Sequence, residues 1–444
     1  MNHPHVNATK QPSTFWQRRG QYAWALLDWA QQPYFTLVTT FIFAPYFATA
    51  FIGDAVRGQE MWGYTQALAG ATIALLSPVL GAAADRTGRR KPWIAALAVI
   101  FVLSNILLWF AAPGALTLLL PLMAALVLAS VSAEFIIVFS NAMLPDLVAP
   151  ERMGWLSGFG WGLGYVGGLI SLVLIITAPG LKEMPGQLAG PLTAIWFALF
   201  CPAFFLFTPD RPKADKAIAQ AVREGLAQLR RTLLQVRHYG NVMRFLIAHM
   251  IYADGLSALF AFGGIFGAGL FGWEIFTLGL FGIILIVFAA IGAFAGGWAD
   301  DRFGSRRTIL VSGTGLIAAA LLAVSIQPDS ILFGVAVDPR PPGAPPFSSI
   351  PEQVYVLSGI LMGIFGGPVQ AASRTLLARL APKEMAGEFF GLFAMSGKAT
   401  SFLAPLLIGL ITAALASQRA GIAVILLFFI VGFGILIRVE ETGR

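Results

Sequence analysis

The chain has 444 residues, 57% of them hydrophobic and 12% aromatic but only 11% charged, against roughly 25% charged for a soluble domain. A water-soluble fold of that size could not solvate its surface, and a mean hydropathy of +0.77 with 48 glycines predicts a polytopic membrane protein. One cysteine, Cys201, and four histidines exclude an internal disulfide and a cysteine-built metal site, so no cofactor is expected; the net charge of +7 is spread over short loops, which argues against nucleic acid as a partner.

Stretches of about 20 apolar residues between charged or Pro/Gly-rich breaks predict twelve spans. They cover residues 22–52, 61–84, 93–112, 117–143, 155–178 and 190–208, then 242–270, 275–299, 308–327, 353–378, 389–414 and 421–437. The first follows Arg18 and Arg19, is interrupted by Asp28 and holds Pro33 and Pro45, so it reads as a tilted or kinked span and not as a cleaved leader. In the fifth, Gly162-Leu-Gly164-Tyr-Val-Gly167 matches a dinucleotide pattern but lies in an apolar span and follows no strand; with Gly160, Gly164 and Gly168 at four-residue spacing it predicts a smooth helix-packing face. After the sixth span, Ile218, Val222, Leu226, Leu229, Leu233 and Val236 form one helical face, while Arg223, Arg230 and Arg231 lie elsewhere. Residues 209–241 are therefore expected to be an interfacial amphipathic tether between two halves, 1–208 and 242–444.

Of 29 Lys and Arg residues, Arg57, Lys182, Arg340 and Arg419 fall in loops on one side and Lys398 within a span; the other 24 lie on or beside the opposite side. That asymmetry predicts both termini in the cytoplasm; the membrane expected is the inner (plasma) membrane of a bacterium.

The chain also repeats itself. Gly81-Ala-Ala-Ala-Asp85-Arg86-Thr-Gly88-Arg89-Arg90-Lys91 returns as Gly297-Trp-Ala-Asp-Asp301-Arg302-Phe-Gly304-Ser-Arg306-Arg307, each after an even-numbered span. Ala149-Pro150-Glu151-Arg152-Met153 is echoed by Ala381-Pro382-Lys383-Glu384-Met385, the longer offset reflecting a Pro-rich insertion around 338–349. Asp28 corresponds to Asp254. Two parallel six-span repeats follow.

The paired loop Gly-x-x-x-Asp-Arg-x-Gly-Arg-Arg resembles the signature loop of the major facilitator superfamily of secondary transporters. The stretches Trp24-Ala-Leu-Leu-Asp28-Trp29-Ala30 and Phe245-Leu-Ile-Ala-His-Met-Ile-Tyr252-Ala-Asp254-Gly255 resemble the branch of vacuolar amino-acid effluxers linked to autophagy and their bacterial relatives. That branch commonly carries Asn-Ser where this chain has Gln31-Gln32, and Asn where it has Ala253. The resemblance implies an all-α fold of two six-helix halves, and a loop in which Asp85 and Arg89, and Asp301 in the second half, form an inter-helix latch holding one access state. It further implies that spans one, four, seven and ten line a central cavity.

Ionisable groups inside spans cost at least about 2.5 kcal/mol and call for a reason. Asp28, Glu134, Asp254 and Lys398 are singled out as solute- or proton-binding candidates, with Gln31, Gln32, Asn141, His249 and Gln370 as polar companions. The plain alternatives are structural carboxylates, a lysine snorkelling to the headgroups and a satisfied interior histidine; Arg374 reads as a positive-inside residue. No Walker sequence is present, so the energy source is expected to be a gradient, with protons the economical coupling ion because intramembrane carboxylates can change charge between wet and dry surroundings. Facilitated diffusion is the alternative. The expected protein is thus a monomeric, non-enzymatic secondary transporter working in the lipid bilayer, and the resemblance implies a small polar solute, amino acids first. Efflux of amphipathic drugs or lipids, and a non-transporting membrane sensor, are the rival readings.

Overall fold

The computed structural model describes residues 15–441 except 88, 142, 149, 211–238, 342, 381–391, 394–395 and 398–399; the side chains of 15–17, 77–79, 81–87, 144–145, 150–155, 157–158, 161, 294, 301 and 378 also lie outside the description. Lipid offers no partner for a backbone N–H or C=O, so the apolar stretches satisfy their own polar groups as helices. These are α1 (Phe15–Pro33), α2 (Ala55–Thr87), α3 (Lys91–Leu107), α4 (Leu119–Asn141), α5 (Pro150–Thr177) and α6 (Pro185–Phe207), then α7 (Gly240–Phe271), α8 (Ile275–Phe303), α9 (Ser305–Val324), α10 (Ile350–Leu380), α11 (Leu403–Leu415) and α12 (Gln418–Leu436). Among the described residues nine helices are long and apolar enough to cross a membrane. With α2, α5 and α11 added the arrangement is consistent with twelve.

The first span changes its helical winding near its prolines. After Pro33 the helix widens into π-helical turns over Tyr34–Phe41, and the four-residue helix Phe43–Tyr46, which contains Pro45, leads into a second π-helical turn at Phe47–Phe51. The insertion between α9 and α10 departs from an all-helical reading. It contains a minimal antiparallel pair, β1 (Ser330–Ile331) and β2 (Val335–Ala336), whose turn places Leu332 and Phe333 at φ of 49° and 64°. The loop beyond it is fastened by Glu352, a fully buried carboxylate that accepts from Trp273 Nε1 at 2.7 Å and Ser349 Oγ at 2.9 Å and pairs with Arg340 at 3.3 Å. The end of the bundle carrying this hairpin is called the hairpin end below, and the end carrying the two signature loops the basic end.

The halves meet toward the hairpin end. There Gln59 Nε2 of α2 donates to Thr412 Oγ1 at 2.7 Å and to the Gln418 carbonyl at 3.2 Å, while Gln418 Nε2 donates to the Ala55 carbonyl at 2.8 Å. Glycines allow the backbones this close. A Cβ on Gly63 would lie 2.8 Å from the Pro405 carbonyl oxygen, and one on Gly264 would lie 2.5 Å from that of Thr40.

Candidate functional site

The first half builds a polar level around α1. Three side-chain hydrogen bonds tie the first span to α4: Trp24 Nε1 to the Ser140 carbonyl at 2.8 Å, Gln31 Nε2 to the Ala133 carbonyl at 3.0 Å, and, just past α1, Tyr34 Oη with Ser130 Oγ at 2.7 Å. Residue numbers climb on one helix as they fall on the other, a strict antiparallel register that puts Glu134 within one turn of the level of Asp28. Gln31 is buried, and its Oε1 meets no donor among the described residues.

On its other side α1 lies against α5, where the glycine spacing acquires a use. Gly160, Gly164 and Gly168 form a groove facing Asp28, Gln32 and Thr36, which recur at the same four-residue interval. A Cβ at Gly160 would lie 2.4 Å from Asp28 Oδ2, one at Gly164 3.3 Å from Gln32 Oε1, and one at Gly168 2.5 Å from Thr36 Oγ1. The face expected to be merely smooth is a row of notches holding polar side chains. Asp28 has no cation and no hydrogen-bond donor as a partner among the described residues.

The other candidates are distributed as follows. Asp254 is buried on α7, and the residues just before α11, the counterpart of the α5 wall, fall partly outside the described residues. Lys398 also lies outside them. Asn141 and Gln370 are exposed, at the end of α4 and near the end of α10. His249 is a satisfied interior histidine: its Nδ1 is 3.0 Å from Ser396 Oγ and its ring stacks on Phe393 at 4.0 Å. Arg374, read from sequence as a positive-inside residue, interacts electrostatically with His249 and, from the other half, with Tyr165 of α5.

At the basic end each signature loop is held by an acidic residue just past the last span of its own half. Asp210 accepts from the backbone N–H of Arg90 at 3.0 Å and of Lys91 at 3.1 Å, and the buried Arg90 guanidinium pairs with Asp146 at 3.6 Å. In the second half Glu441 accepts from the N–H of Ser305 at 3.2 Å and of Arg306 at 3.0 Å, and from Arg379 at 2.6 Å; Arg379 also approaches Asp300 at 3.5 Å, which accepts from Ser305 Oγ at 2.6 Å. Burial works against the Glu441 carboxylate, yet hydrogen bonds from Arg379 and the two N–H groups hold it below the ordinary glutamate value. Gly304, at φ 93°, makes the corner between α8 and α9. Arg89, Arg302 and Arg307 are exposed and Gly297 faces open space, while Gly81, Asp85, Arg86, Gly88 and Asp301 lie outside the described residues or side chains. The described ion pairs of both loops therefore join helices within a half. Sequence reading missed Asp210, Asp300 and Glu441; the matching positions of Asp210 and Glu441 beyond spans six and twelve were the available signal.

A profile described as "Vacuole effluxer Atg22 like" matches residues 48–154 and 150–443, nearly the whole chain. The chain belongs to the Atg22-like vacuole effluxer family. It is 26% identical over 439 residues to the uncharacterized MFS-type transporter YxiO of Bacillus subtilis, covering 95% of each chain. It is 24% identical over 304 residues to autophagy-related protein 22-1 of Neosartorya fischeri, covering 65% of this chain and 49% of that one, so it spans about half the length of such fungal relatives. Among solved structures it resembles a D-xylose-proton symporter (TM-score 0.66, 13% identity, 96% and 99% covered) and a POT family transporter in complex with 5-aminolevulinic acid (TM-score 0.67, 15% identity, 94% and 95% covered). The fold is that of the major facilitator transporters, and the protein is a multi-pass membrane protein of the transporter type.

Proposed function

We propose that this member of the family carries a small zwitterionic solute, amino acids first, through a cleft between residues 1–208 and 242–444, with residues 209–241 as an amphipathic tether. The protein works as a monomer, and the two halves rock about a midplane site, each end opening in turn. The basic end faces the cytoplasm of a bacterial cell, as do both termini, in keeping with the lopsided placement of Lys and Arg.

The observation that carries the reading is the notch at Gly160. A carboxyl group placed by helix geometry into a space that any Cβ would fill is costly in lipid and supplies an anionic or protonatable pole beside the cleft. Asp28 there receives the solute ammonium or the coupling proton, with Glu134 near its level and Asp254 as its counterpart in the second half; Lys398 adds a cation from the eleventh span. Relatives of the fold include a D-xylose-proton symporter, so protons and this architecture are compatible.

The test begins with thermal stabilisation of the purified protein by a panel of amino acids and other polar solutes, followed by flux of the best stabiliser in proteoliposomes. Wild type should accumulate that solute when a proton gradient is imposed. Asp28→Asn should lose gradient-driven accumulation yet retain solute exchange, whereas unaltered accumulation in the variant would remove Asp28 from the mechanism.

A further inference from the structure

A zwitterionic solute held by acidic groups of the first half needs a receptor for its negative charge on the wall formed by the second half. We propose that Arg374 of α10 is that receptor for the anionic group, a carboxylate in the amino-acid reading on which this inference rests, with Tyr165 facing it from the other half. Four observations converge on this arginine.

The first is depth. Tyr165 lies mid-way along α5, 15 residues from its start and 12 from its end, and the Arg374 guanidinium interacts with it electrostatically from the opposite half. The second is direction. Gly363 and Gly367 turn toward α8, since a Cβ on the first would meet the Leu285 carbonyl at 2.8 Å and one on the second would meet Ala293 at 3.2 Å. Gln370 and Arg374 continue that face at helical spacing, and both are exposed, as is Tyr165 across from them. Toward the basic end α8 passes to another side of α10, where a Cβ on Gly296 would lie 2.5 Å from Pro368 and Asp300 pairs with Arg379 at 3.5 Å, so the face carrying Gln370 and Arg374 stays uncovered.

The third observation is the setting of His249, the other group that interacts with Arg374. Its ring is pinned by Phe393 and Ser396, so it forms a fixed wall beside the guanidinium. The fourth is charge separation. Asp28 and Glu134 belong to α1 and α4 in the first half, Arg374 to α10 in the second, so a solute with an ammonium and a carboxylate can bridge the halves and draw them together. Guanidinium suits this role, because its planar fork binds a carboxylate through two parallel hydrogen bonds. Gln370, one turn deeper, supplies an amide to the same group.

The experiment compares an amino acid with its primary amide, which keeps the ammonium and loses the negative charge. Binding of L-leucine, L-leucinamide and isocaproate to full-length protein in detergent is measured by calorimetry for wild type, Arg374→Gln and Arg374→Lys, each checked for monodispersity. Wild type should prefer leucine over leucinamide. Arg374→Gln should weaken leucine at least about tenfold and leave leucinamide unchanged, abolishing the preference. Arg374→Lys, which retains the charge and the fold-supporting stem, should fall between, and it alone decides the matter if the glutamine variant does not fold. Binding of isocaproate but not leucine by wild type, lost in Arg374→Gln, would sink the zwitterion reading and keep Arg374 as anion receptor. Retention of the leucine preference in the folded variants, or binding of no carboxylate probe by wild type, would overturn the inference.

Discussion

The two ends of this bundle are fastened by different chemistry. At the basic end the described contacts are ionic and internal: Arg90 with Asp146 and the N–H groups over Asp210 close the first half, and Arg379 with Asp300 and Glu441 closes the second. At the hairpin end the contacts are neutral and cross between halves, through Gln59, Thr412, Gln418 and glycine backbones. A neutral hydrogen bond in a membrane protein averages about 0.6 kcal/mol, whereas breaking a buried ion pair costs about 3–5 kcal/mol. Among the described residues the ionic contacts thus lie within each half and the neutral ones between the halves, the arrangement that the proposed rocking of two bodies would use.

The largest expected effect comes from breaking a staple inside a half. Arg379→Ala leaves Asp300 and Glu441 at the basic end without their cation, and the loss should approach the low end of about 3–5 kcal/mol because Arg379 is partly exposed. A large drop in melting temperature of the purified protein checks it; a drop no larger than that of a surface substitution would put the comparison in doubt.

A smaller effect belongs to the weak end. Gly63→Leu introduces a side chain 2.8 Å from the Pro405 carbonyl oxygen and 2.9 Å from the Gly409 Cα, backbone that cannot give way. Overpacking of this kind costs about 1–3 kcal/mol, relieved when the halves part. The expected outcome is a conformational shift with little loss of stability, read as faster labelling of single cysteines placed along α2 near Gln59 in a Cys201→Ser background.

The smallest concerns pH. Glu441 titrates below the ordinary glutamate value of about 4.3 when folded, so its stabilisation is fully present above that value and fades as pH falls through the lower folded value. Wild type should therefore lose melting temperature more steeply than Glu441→Gln as pH is lowered from about 5 to 3, and parallel curves would show that the carboxylate contributes nothing.

Much of this was legible in the sequence, since lipid leaves a chain few options. Twelve apolar stretches, the basic asymmetry and the paired signature loops follow from periodicity and composition alone, and Pro33 marked the place where the first helix widens. The site was harder to read. Asp28 could be found because charge inside a span is rare, but that Gly160 holds its carboxyl depends on how α1 and α5 pair, which spacing alone leaves open. Arg374 was hidden by a rule that is right on average: an arginine near the basic end of a span is usually a topology signal, and only the folded chain brings this one into electrostatic range of Tyr165 in the other half. Asp210 and Glu441 sit in short polar tails, where acidic residues are common and their capping role becomes visible only in three dimensions.

The claim that the halves move as bodies, joined only weakly at the hairpin end, can be tested with two cysteine pairs in a Cys201→Ser background. One pair, Gln59→Cys with Thr412→Cys, spans the halves; the other, Asn241→Cys with Glu440→Cys, replaces a hydrogen-bonded contact within the second half at the basic end. Each is bridged with a short reducible bis-thiosulfonate, and flux of the best-stabilising amino acid is measured in proteoliposomes. Bridging the first pair should stop flux until a reductant is added, and bridging the second should leave flux unchanged. Continued flux with the first pair bridged, or arrest with the second, would contradict the account.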